Sequence, residues 1–225
     1  VCVPTPVDEK HKPNLKPLIG ACESIVGGIK TEGIIVIEST IFPGTVEEII
    51  LPILEKSKKR FYLGHCPERI DPGNKKYTVK NLPRVVGGIN AQSAKKIAEF
   101  YREIIEAEVV ELSSVKAAEA TKIMENTFSD VNIAFVNEMA KSFDKVGIDI
   151  TEVIKGASSK PFGFMPHYPG AGVGGHCIAV DPYYLIAKAK ESGFEHEFLI
   201  LARKINDSMP SYAVSLLESC LKELK

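Results

Sequence analysis

The stretch that decides the fold is Gly33–Thr40, with the sequence GIIVIEST. Its middle is a run of β-branched residues, which is typical of a strand buried on both faces of a sheet. Pro43, Gly44 and Thr45 follow and predict a helix that extends to about Lys56, with Gly44 or Thr45 as its cap. A buried strand that leads into a helix is the repeating unit of an α/β sheet.

The alternation continues on both sides of this unit. Apolar runs predict strands at 61–66, 84–88 and 108–112, and a helical period predicts helices at 15–29 and 91–105. Residues 1–3 read as the end of another buried strand, so we expect the chain to have been cut from a longer one. Strands that alternate with helices favour a parallel, doubly wound sheet.

The alternation ends at Leu112, and the rest of the chain has helical patterns. The predicted helices are 114–146, 149–157, 183–190 and 197–224, the last interrupted near Met209 and Pro210. We therefore predict an α/β domain at 1–112 and an all-α domain at 113–225, with the boundary at Leu112–Ser114.

Composition and charge argue against several classes of protein. The net charge is −1 and there is no basic run, so we expect no binding of nucleic acid. No apolar run reaches membrane-spanning length and no signal peptide is visible, so we expect no membrane association. The five cysteines form an odd, scattered set without C-x-x-C pairs, which is typical of reduced thiols in the cytoplasm.

A glycine-rich stretch at 166–182, PHYPGAGVGGHCIAVDP, is the strongest candidate for a reactive site. Glycines let the backbone adopt positive φ and let another group come close, so a cysteine that ends such a loop is approachable. Cys177 is therefore a candidate nucleophile, and a surface turn with an incidental cysteine is the alternative. If a helix begins here, Asp181 lies one turn after Cys177 on the same face.

The same stretch matches the dinucleotide fingerprint G-x-G-x-x-G at 170–175. That pattern indicates a nucleotide site only between a strand and a helix of a βαβ unit. Here Pro161 and Pro166 make the preceding segment a poor strand, and no second β-rich run follows. We therefore reject this match.

Polar residues follow three of the predicted strands. Thr5, Ser39–Thr40 and Glu68–Arg69 leave the carboxyl ends, where open parallel sheets bind ligands. Each could be an ordinary turn or helix cap, but together they predict a ligand-binding edge.

Lys122 and Asn126 are one turn apart in the predicted long helix, so they can aim at one point. They could instead belong to a solvated face, with Lys122 paired to Glu125. The apolar stretch that follows indicates a covered helix, on which polar side chains need partners.

A zinc site is a further hypothesis. The pairs His65-Cys66 and His176-Cys177 could combine with Glu68 and Asp181, but metal ligands are usually more tightly spaced in sequence. We therefore predict no metal.

Five motifs follow one another over almost the whole chain. They are ESTIFPGT at 38–45, HCPERIDPGN at 65–74, AAEATKIMENTF at 117–128, VNIAFVNE at 131–138 and PGAGVGGHCIAVDP at 169–182. Together they resemble the UDP-glucose/GDP-mannose dehydrogenase family. The last motif resembles the branch that acts on UDP-N-acetyl-mannosamine and UDP-N-acetyl-glucosamine.

The resemblance implies an α/β fold built from the second half of a Rossmann-like NAD-binding domain, without its first βαβ unit. An all-α central domain like that of 6-phosphogluconate dehydrogenase follows and ends in a linker helix. A C-terminal UDP-binding domain would be absent, so we expect this chain alone to be inactive. The helix at 114–146 and the last helix carry more apolar surface than this small region can bury, so we also predict a homodimer through the central helices.

The implied reaction is a four-electron oxidation of a UDP-sugar, in which two NAD⁺ take C6 from alcohol to carboxylate. Cys177 would hold the carbon as a thiohemiacetal and then as a thioester. Lys122 and Asn126 would stabilise the oxyanion and handle protons, and Asp181 would position the water. Glu68 would assist hydrolysis of the thioester.

The resemblance also implies binding roles. Thr5 and Thr40 would lie beside the nicotinamide half of NAD. The residues that would contact the sugar nucleotide are Arg69, Ile70, Lys122, Asn126 and Gly172.

Two departures bear on the substrate. UDP-glucose enzymes often carry a second glutamate where this chain has Pro72, which argues against UDP-glucose. Ser129 stands where some mannosamine-type members carry arginine, which leaves gluco against manno open.

Two competing classes of protein stay open. One is a two-electron β-hydroxyacid or phosphogluconate dehydrogenase, which is built in a similar way but needs no cysteine. The second is a non-catalytic dimerisation scaffold made from the long helices, for which replacement of Cys177 would have no functional cost.

Overall fold

The computed structural model describes residues 1–8, 12–175 and 177–223. The chain forms two compact units, of which the first comprises Val1–Met124 with Tyr183–Lys188 and the second Glu125–Pro182 with Ala189–Lys225. His176, a member of the predicted glycine-rich motif, and Leu224, the predicted end of the last helix, lie outside the described residues. The domain boundary at Leu112–Ser114 stays a prediction.

The first unit contains a sheet of four strands in the order β1-β2-β3-β4. The strands are β1 at Gly33–Ile37, β2 at Phe61–His65, β3 at Arg84–Gly88 and β4 at Val109–Glu111. Pairs β1–β2 and β3–β4 are parallel. The α/β fold class is thus confirmed, and all four strands lie where the sequence predicts them.

One pairing departs from the predicted parallel sheet, because β2 and β3 are antiparallel. A parallel return needs a crossover connection, usually a helix. Residues 66–83 form no helix or strand, so β3 returns beside β2 in the opposite direction. The sheet is therefore mixed.

Helices cover both faces of this sheet. Helix α1 spans Lys16–Ile25, and a second helical segment runs through a π-helical turn at Val46–Ile50, α2 at Leu51–Leu54 and a 3₁₀ turn at Glu55–Ser57. Leu18, Ile37 and Leu54 belong to the core on this side, whereas α3 at Ala91–Ile104 places Ile97 in a second cluster with Val86. Each fully buried aliphatic side chain contributes about 1.5–3 kcal/mol.

Residues 1–3, predicted as the end of a strand, run beside β1 without forming a regular strand. The Val1 amino group donates to the Val36 carbonyl at 2.6 Å, and the Glu38 N–H donates to the Val1 carbonyl at 2.9 Å. These bonds have the parallel pattern and align the segment with the edge of β1.

Helix α4 spans Val115–Lys145 and passes from the first unit into the second. The remaining helices are α5 at Ile150–Ser158, α6 at Cys177–Glu191 and α7 at Glu197–Glu223. Among the described residues of the second unit, all regular structure is helical. Within the described ranges, none of the helices combines the length and the apolar character that crossing a lipid bilayer requires.

The predicted interruption of the last helix is wrong, because α7 continues through Pro210. A proline in a helix leaves the carbonyl four residues earlier, here that of Asn206, without its helical donor. Gly172 lies beside this point: a Cβ on it would be 3.6 Å from the Asn206 oxygen and 3.9 Å from Pro210 Cδ. The glycine-rich loop thus approaches α7 at the turn that contains Pro210.

Candidate active site

In the second unit, α4 and α6 are joined by a buried hydrogen bond between two predicted site residues. Asn126 Nδ2 donates to Asp181 Oδ2, and both side chains are buried. Cys177 is the first residue of α6, four positions before Asp181, and it is exposed. The predicted start of this helix at Tyr183 is wrong, because α6 begins at Cys177 and continues through Pro182. Cys177 and Asp181 therefore share a face of α6.

The loop before Cys177 depends on glycine. Gly172, Gly174 and Gly175 have φ values of +109°, +68° and +70°, in the region that other residues rarely adopt. The Gly170 N–H donates to Asn137 Oδ1 on α4 at 3.0 Å. The loop is thus tied to α4 at one end and leads into α6 at the other.

Asn137 belongs to a chain of buried polar groups that the sequence analysis missed. Its Nδ2 donates to Asn206 Oδ1 on α7 at 2.9 Å, and Asn206 Nδ2 donates to Asp130 Oδ1 at 2.8 Å. Arg203 pairs with Asp130 at 2.5 Å. Burial raises the pKa of the Asp130 carboxyl, and the Arg203 guanidinium opposes that rise. We name Asp130, Asn206, Asn137 and Gly170 the amide chain.

Lys122 is half-buried and lies one helical turn before Asn126 along α4. One turn earlier still, Glu119 is fully buried and binds backbone groups of the first unit: its carboxylate accepts the N–H groups of Gly44 at 2.6 Å and Val46 at 2.8 Å. Burial raises the pKa of Glu119 to about 7, against the two N–H donors that lower it. The N-cap position is Thr45, one of the two predicted caps, but its side chain makes no capping bond, and Glu119 supplies the acceptor instead.

In the first unit, two predicted cofactor residues meet where the strands end. Thr5 Oγ1 donates to the Thr40 carbonyl at 2.7 Å, and Ser39 Oγ both accepts from the Val3 N–H and donates to its carbonyl at 2.8 Å. Tyr184, which the sequence analysis did not single out, donates from its hydroxyl to the Thr5 carbonyl at 2.8 Å. These bonds hold the segment with Thr5 against the segment with Thr40.

Glu68 organises the turn that follows β2. Its Oε1 accepts the N–H groups of Arg69 at 2.7 Å and Ile70 at 2.8 Å. Its Oε2 lies 2.9 Å from Nη1 of Arg84, a residue that is buried at the start of β3. The guanidinium of Arg69 donates to the Pro83 carbonyl at 3.0 Å. The predicted site residues 68–70 therefore form one ordered turn.

The zinc hypothesis gains no support from the part of the chain that the structure describes. There, no three His, Cys, Asp or Glu residues lie together in a way that could hold a metal ion. His65 and Cys66 are both fully buried; burial lowers the pKa of His65 to about 3 and raises that of Cys66 to about 12. His176, the second histidine of that hypothesis, lies outside the described residues.

Parallel strand pairs with hydroxyl-bearing segments at their ends and helices on both faces define an α/β unit of the kind that binds nucleotides, and a helical unit that carries the exposed Cys177 follows it. Residues 1–105 match the NAD binding domain of the UDP-glucose/GDP-mannose dehydrogenase family, and residues 116–208 match its central domain. The chain belongs to this family.

Similar proteins support the same conclusion. The chain is 45% identical to the UDP-N-acetyl-D-glucosamine 6-dehydrogenase of Pseudomonas aeruginosa, covering 99% of this chain and 54% of that protein. It is 39% identical to the UDP-N-acetyl-D-mannosamine dehydrogenase of Methanococcus maripaludis, over 100% of this chain and 51% of that protein. A solved structure of a UDP-D-ManNAc dehydrogenase from Pyrococcus horikoshii superimposes with a TM-score of 0.92 at 35% identity. The match covers 99% of this chain and 53% of that one.

The chain spans about half the length of the curated relatives it matches. The predicted cofactor, NAD, is confirmed by the match to the NAD binding domain. The residues present fit that cofactor, because Thr5 and Thr40 are held together at the carboxyl ends of strands, where α/β sheets bind dinucleotides.

Proposed function

We propose that this chain is the NAD-binding and central part of an NAD-dependent nucleotide-sugar 6-dehydrogenase. The proposed reaction is the four-electron oxidation of a UDP-N-acetylhexosamine to its uronic acid. The observation that carries the proposal is the exposed Cys177 at the start of α6, one turn from the buried pair of Asp181 and Asn126. Membership of the dehydrogenase family supports it.

The need for a thiol follows from the number of electrons removed. After C6 becomes an aldehyde, the Cys177 sulfur forms a bond to C6 as the C=O π bond opens, and the oxygen takes up a proton while the thiol gives one up, which yields a thiohemiacetal. Loss of a second hydride from C6, and of the proton from its oxygen, leaves a thioester. Water then adds to C6, the C–S bond breaks, and the products are the carboxylate and the free thiol.

Asn126 and Lys122 are proposed to act on the oxygen at C6. One N–H of the Asn126 amide is occupied by Asp181, which fixes the plane of the amide and leaves the second N–H of Nδ2 as a donor for an oxyanion. Lys122 supplies a cationic donor one helical turn away and exchanges a proton with the C6 oxygen. Asp181, together with Lys122, orients the water that attacks the thioester.

Bound NAD⁺ supplies the acceptor for the hydride of each oxidation. Thr5 and Thr40 are proposed to hold its nicotinamide half, because their bond sets both segments at the carboxyl edge of the sheet. The residues proposed to contact the sugar nucleotide are Arg69, Ile70 and Gly172, with Glu68 assisting hydrolysis of the thioester.

The substrate is proposed to be UDP-N-acetyl-mannosamine or UDP-N-acetyl-glucosamine, since the similar proteins carry both names. Pro72 replaces a glutamate that is frequent in UDP-glucose enzymes, which makes UDP-glucose the weaker candidate. We also propose a cytoplasmic homodimer. Its interface would use the exposed apolar side chains of α7, which include Val214 at 55%, Leu217 at 60% and Leu221 at 53% exposure.

The test is stoichiometric. The full-length protein is incubated with excess NAD⁺ and a limiting amount of UDP-N-acetyl-mannosamine, UDP-N-acetyl-glucosamine or UDP-glucose, and the NADH formed is counted. We expect two NADH per sugar with one or both N-acetylhexosamines. One NADH per sugar would indicate a two-electron dehydrogenase, and none with any sugar would indicate a scaffold.

A further inference from the structure

Arg84 occupies an unusual position for a charged residue. It is 2% exposed at the start of β3, and its Cζ lies 6.0 Å from the centre of the Tyr101 ring. Burying a guanidinium is costly unless a charged partner compensates. The ion-pair partner that the structure describes is Glu68, whose side chain is 38% exposed, and Glu38 adds a weaker attraction.

Glu68 lies three residues beyond the end of β2, and Arg84 is the first residue of β3. The β2–β3 ladder itself pairs Gly64 with Gly88 and His65 with Gly87. The Glu68 N–H donates to the Glu38 carbonyl at 3.4 Å, which holds the start of the 68–70 turn beside the end of β1.

Glu68 binds both Arg84 and the backbone of the turn that it begins. One carboxylate oxygen faces Arg84, and the other accepts the N–H groups of Arg69 and Ile70. We infer that Arg84 is a positioning residue: by fixing the Glu68 carboxylate, it fixes the backbone of the 68–70 turn that receives the sugar nucleotide. The role of this turn in substrate binding rests on the function proposed above.

The matched variants are Arg84→Met, which keeps the length and removes the charge, and Arg84→Lys, which keeps a cation. Arg84→Met leaves behind the more exposed member of the pair, Glu68, which water can reach. The control is Arg102→Met, which removes a surface guanidinium that pairs with Glu111 at 2.8 Å.

The first measurement does not depend on activity. Hydrogen exchange of the Arg69 and Ile70 amides in the full-length protein should accelerate at least about tenfold in Arg84→Met, because their acceptor is no longer fixed. Arg84→Lys should fall between Arg84→Met and the wild type, and Arg102→Met should match the wild type. Unchanged exchange in Arg84→Met overturns the inference. If that variant does not fold, unchanged exchange in Arg84→Lys does so.

The second measurement is kinetic. Arg84→Met should raise KM for the UDP-sugar about tenfold or more and change KM for NAD less than about twofold. A merely structural role would affect both substrates alike, and that result contradicts the inference. If exchange accelerates while wild-type protein oxidises none of the UDP-sugars, the positioning role stands and the proposed function fails.

Discussion

The carboxylate of Glu119 on α4 accepts the backbone N–H of Gly44 at 2.6 Å, across 75 positions of sequence. Its second oxygen accepts the N–H of Val46, so one buried side chain serves two donors at the start of a helical segment. Thr40 lies just before that segment, and Lys122 lies one turn after Glu119. The strand-end segment and the start of α4 are thus bound together by one acidic group.

This group makes stability depend on pH. The pKa of Glu119 is raised from 4.5 to about 7, so the folded protein holds its proton more tightly than the unfolded chain does. The resulting stabilisation is present at low pH and is lost as the pH rises through about 7. As the pH rises from 5 to 8, the unfolding free energy of the wild type should therefore fall relative to that of Glu119→Gln by up to about 3 kcal/mol.

Urea unfolding of both proteins at several pH values checks this prediction, because the difference between them cancels other titrations. Glu103→Gln, which removes an exposed carboxyl on α3, is the control, and the change with pH should be larger in Glu119→Gln than in Glu103→Gln. A difference between Glu119→Gln and the wild type that stays constant with pH would contradict the assignment.

Replacement of Cys177 by serine should separate the two oxidations. Serine keeps the size, so the glycine-rich loop and NAD binding should change little. Its hydroxyl is a far poorer nucleophile than a thiolate, and an ester resists hydrolysis more than a thioester does. Full turnover should fall at least about a thousandfold, or some 4 kcal/mol of barrier. Cys220→Ser, at an exposed thiol on α7, should be unaffected. Two NADH per sugar at the wild-type rate in Cys177→Ser would falsify the covalent mechanism.

Asn126→Asp should weaken the pair that carries the proposed function. It places a second carboxylate beside Asp181 in a buried setting and removes the donated hydrogen bond. We expect a stability loss of about 1–3 kcal/mol and a fall in turnover of about a hundredfold. Asn132→Asp, farther along the same helix and outside the site, is the control. Equal behaviour of the two variants in thermal unfolding and in steady-state kinetics would show that the Asn126 amide has no special role.

Leu217→Glu should shift the proposed dimer towards monomer, because it puts a charge into an apolar patch that the partner would cover. Leu217 is 60% exposed in the chain alone. Ser219→Glu, two positions on and on the other side of α7, adds the same charge as a control. Sedimentation velocity at micromolar concentration distinguishes the species. A wild-type protein that sediments as a monomer would remove the interface.

The sequence predicted the positions of β1 to β4 and of helices α3, α4 and α7, because apolar periodicity reports which residues face a core. It placed the start of α6 six residues too late, at Tyr183. It did not predict the antiparallel β2–β3 pair, since a strand pattern is the same in either direction. The sequence around Arg84 indicates only the start of a strand, because its ion pair with Glu68 depends on how the strands are arranged. Glu119 stands among the polar residues of a long helix, but its acceptor role depends on backbone 73 and 75 positions away.

At Pro210 the local sequence predicts a feature that the fold does not have. A proline usually interrupts a helix, yet α7 is continuous through Pro210, which lies beside Gly172. The sequence predicts Asp181 and Asn126 as site residues, but it does not predict that they bind each other. That hydrogen bond forms because the fold packs α6 against α4.

The hydrogen bonds of the amide chain all run in one direction, so they determine the orientation of each side-chain amide. An ionised Asp130 can only accept, so Asn206 must turn its NH₂ group towards it and its oxygen towards Asn137. Asn137 must then present its own NH₂ group to Asn206, which leaves its oxygen for the Gly170 N–H. One negative charge on α4 thus dictates which way both amides face. Reversing either amide would set two donors or two acceptors against each other, so substitutions along this chain should be tolerated only in sets that preserve its polarity.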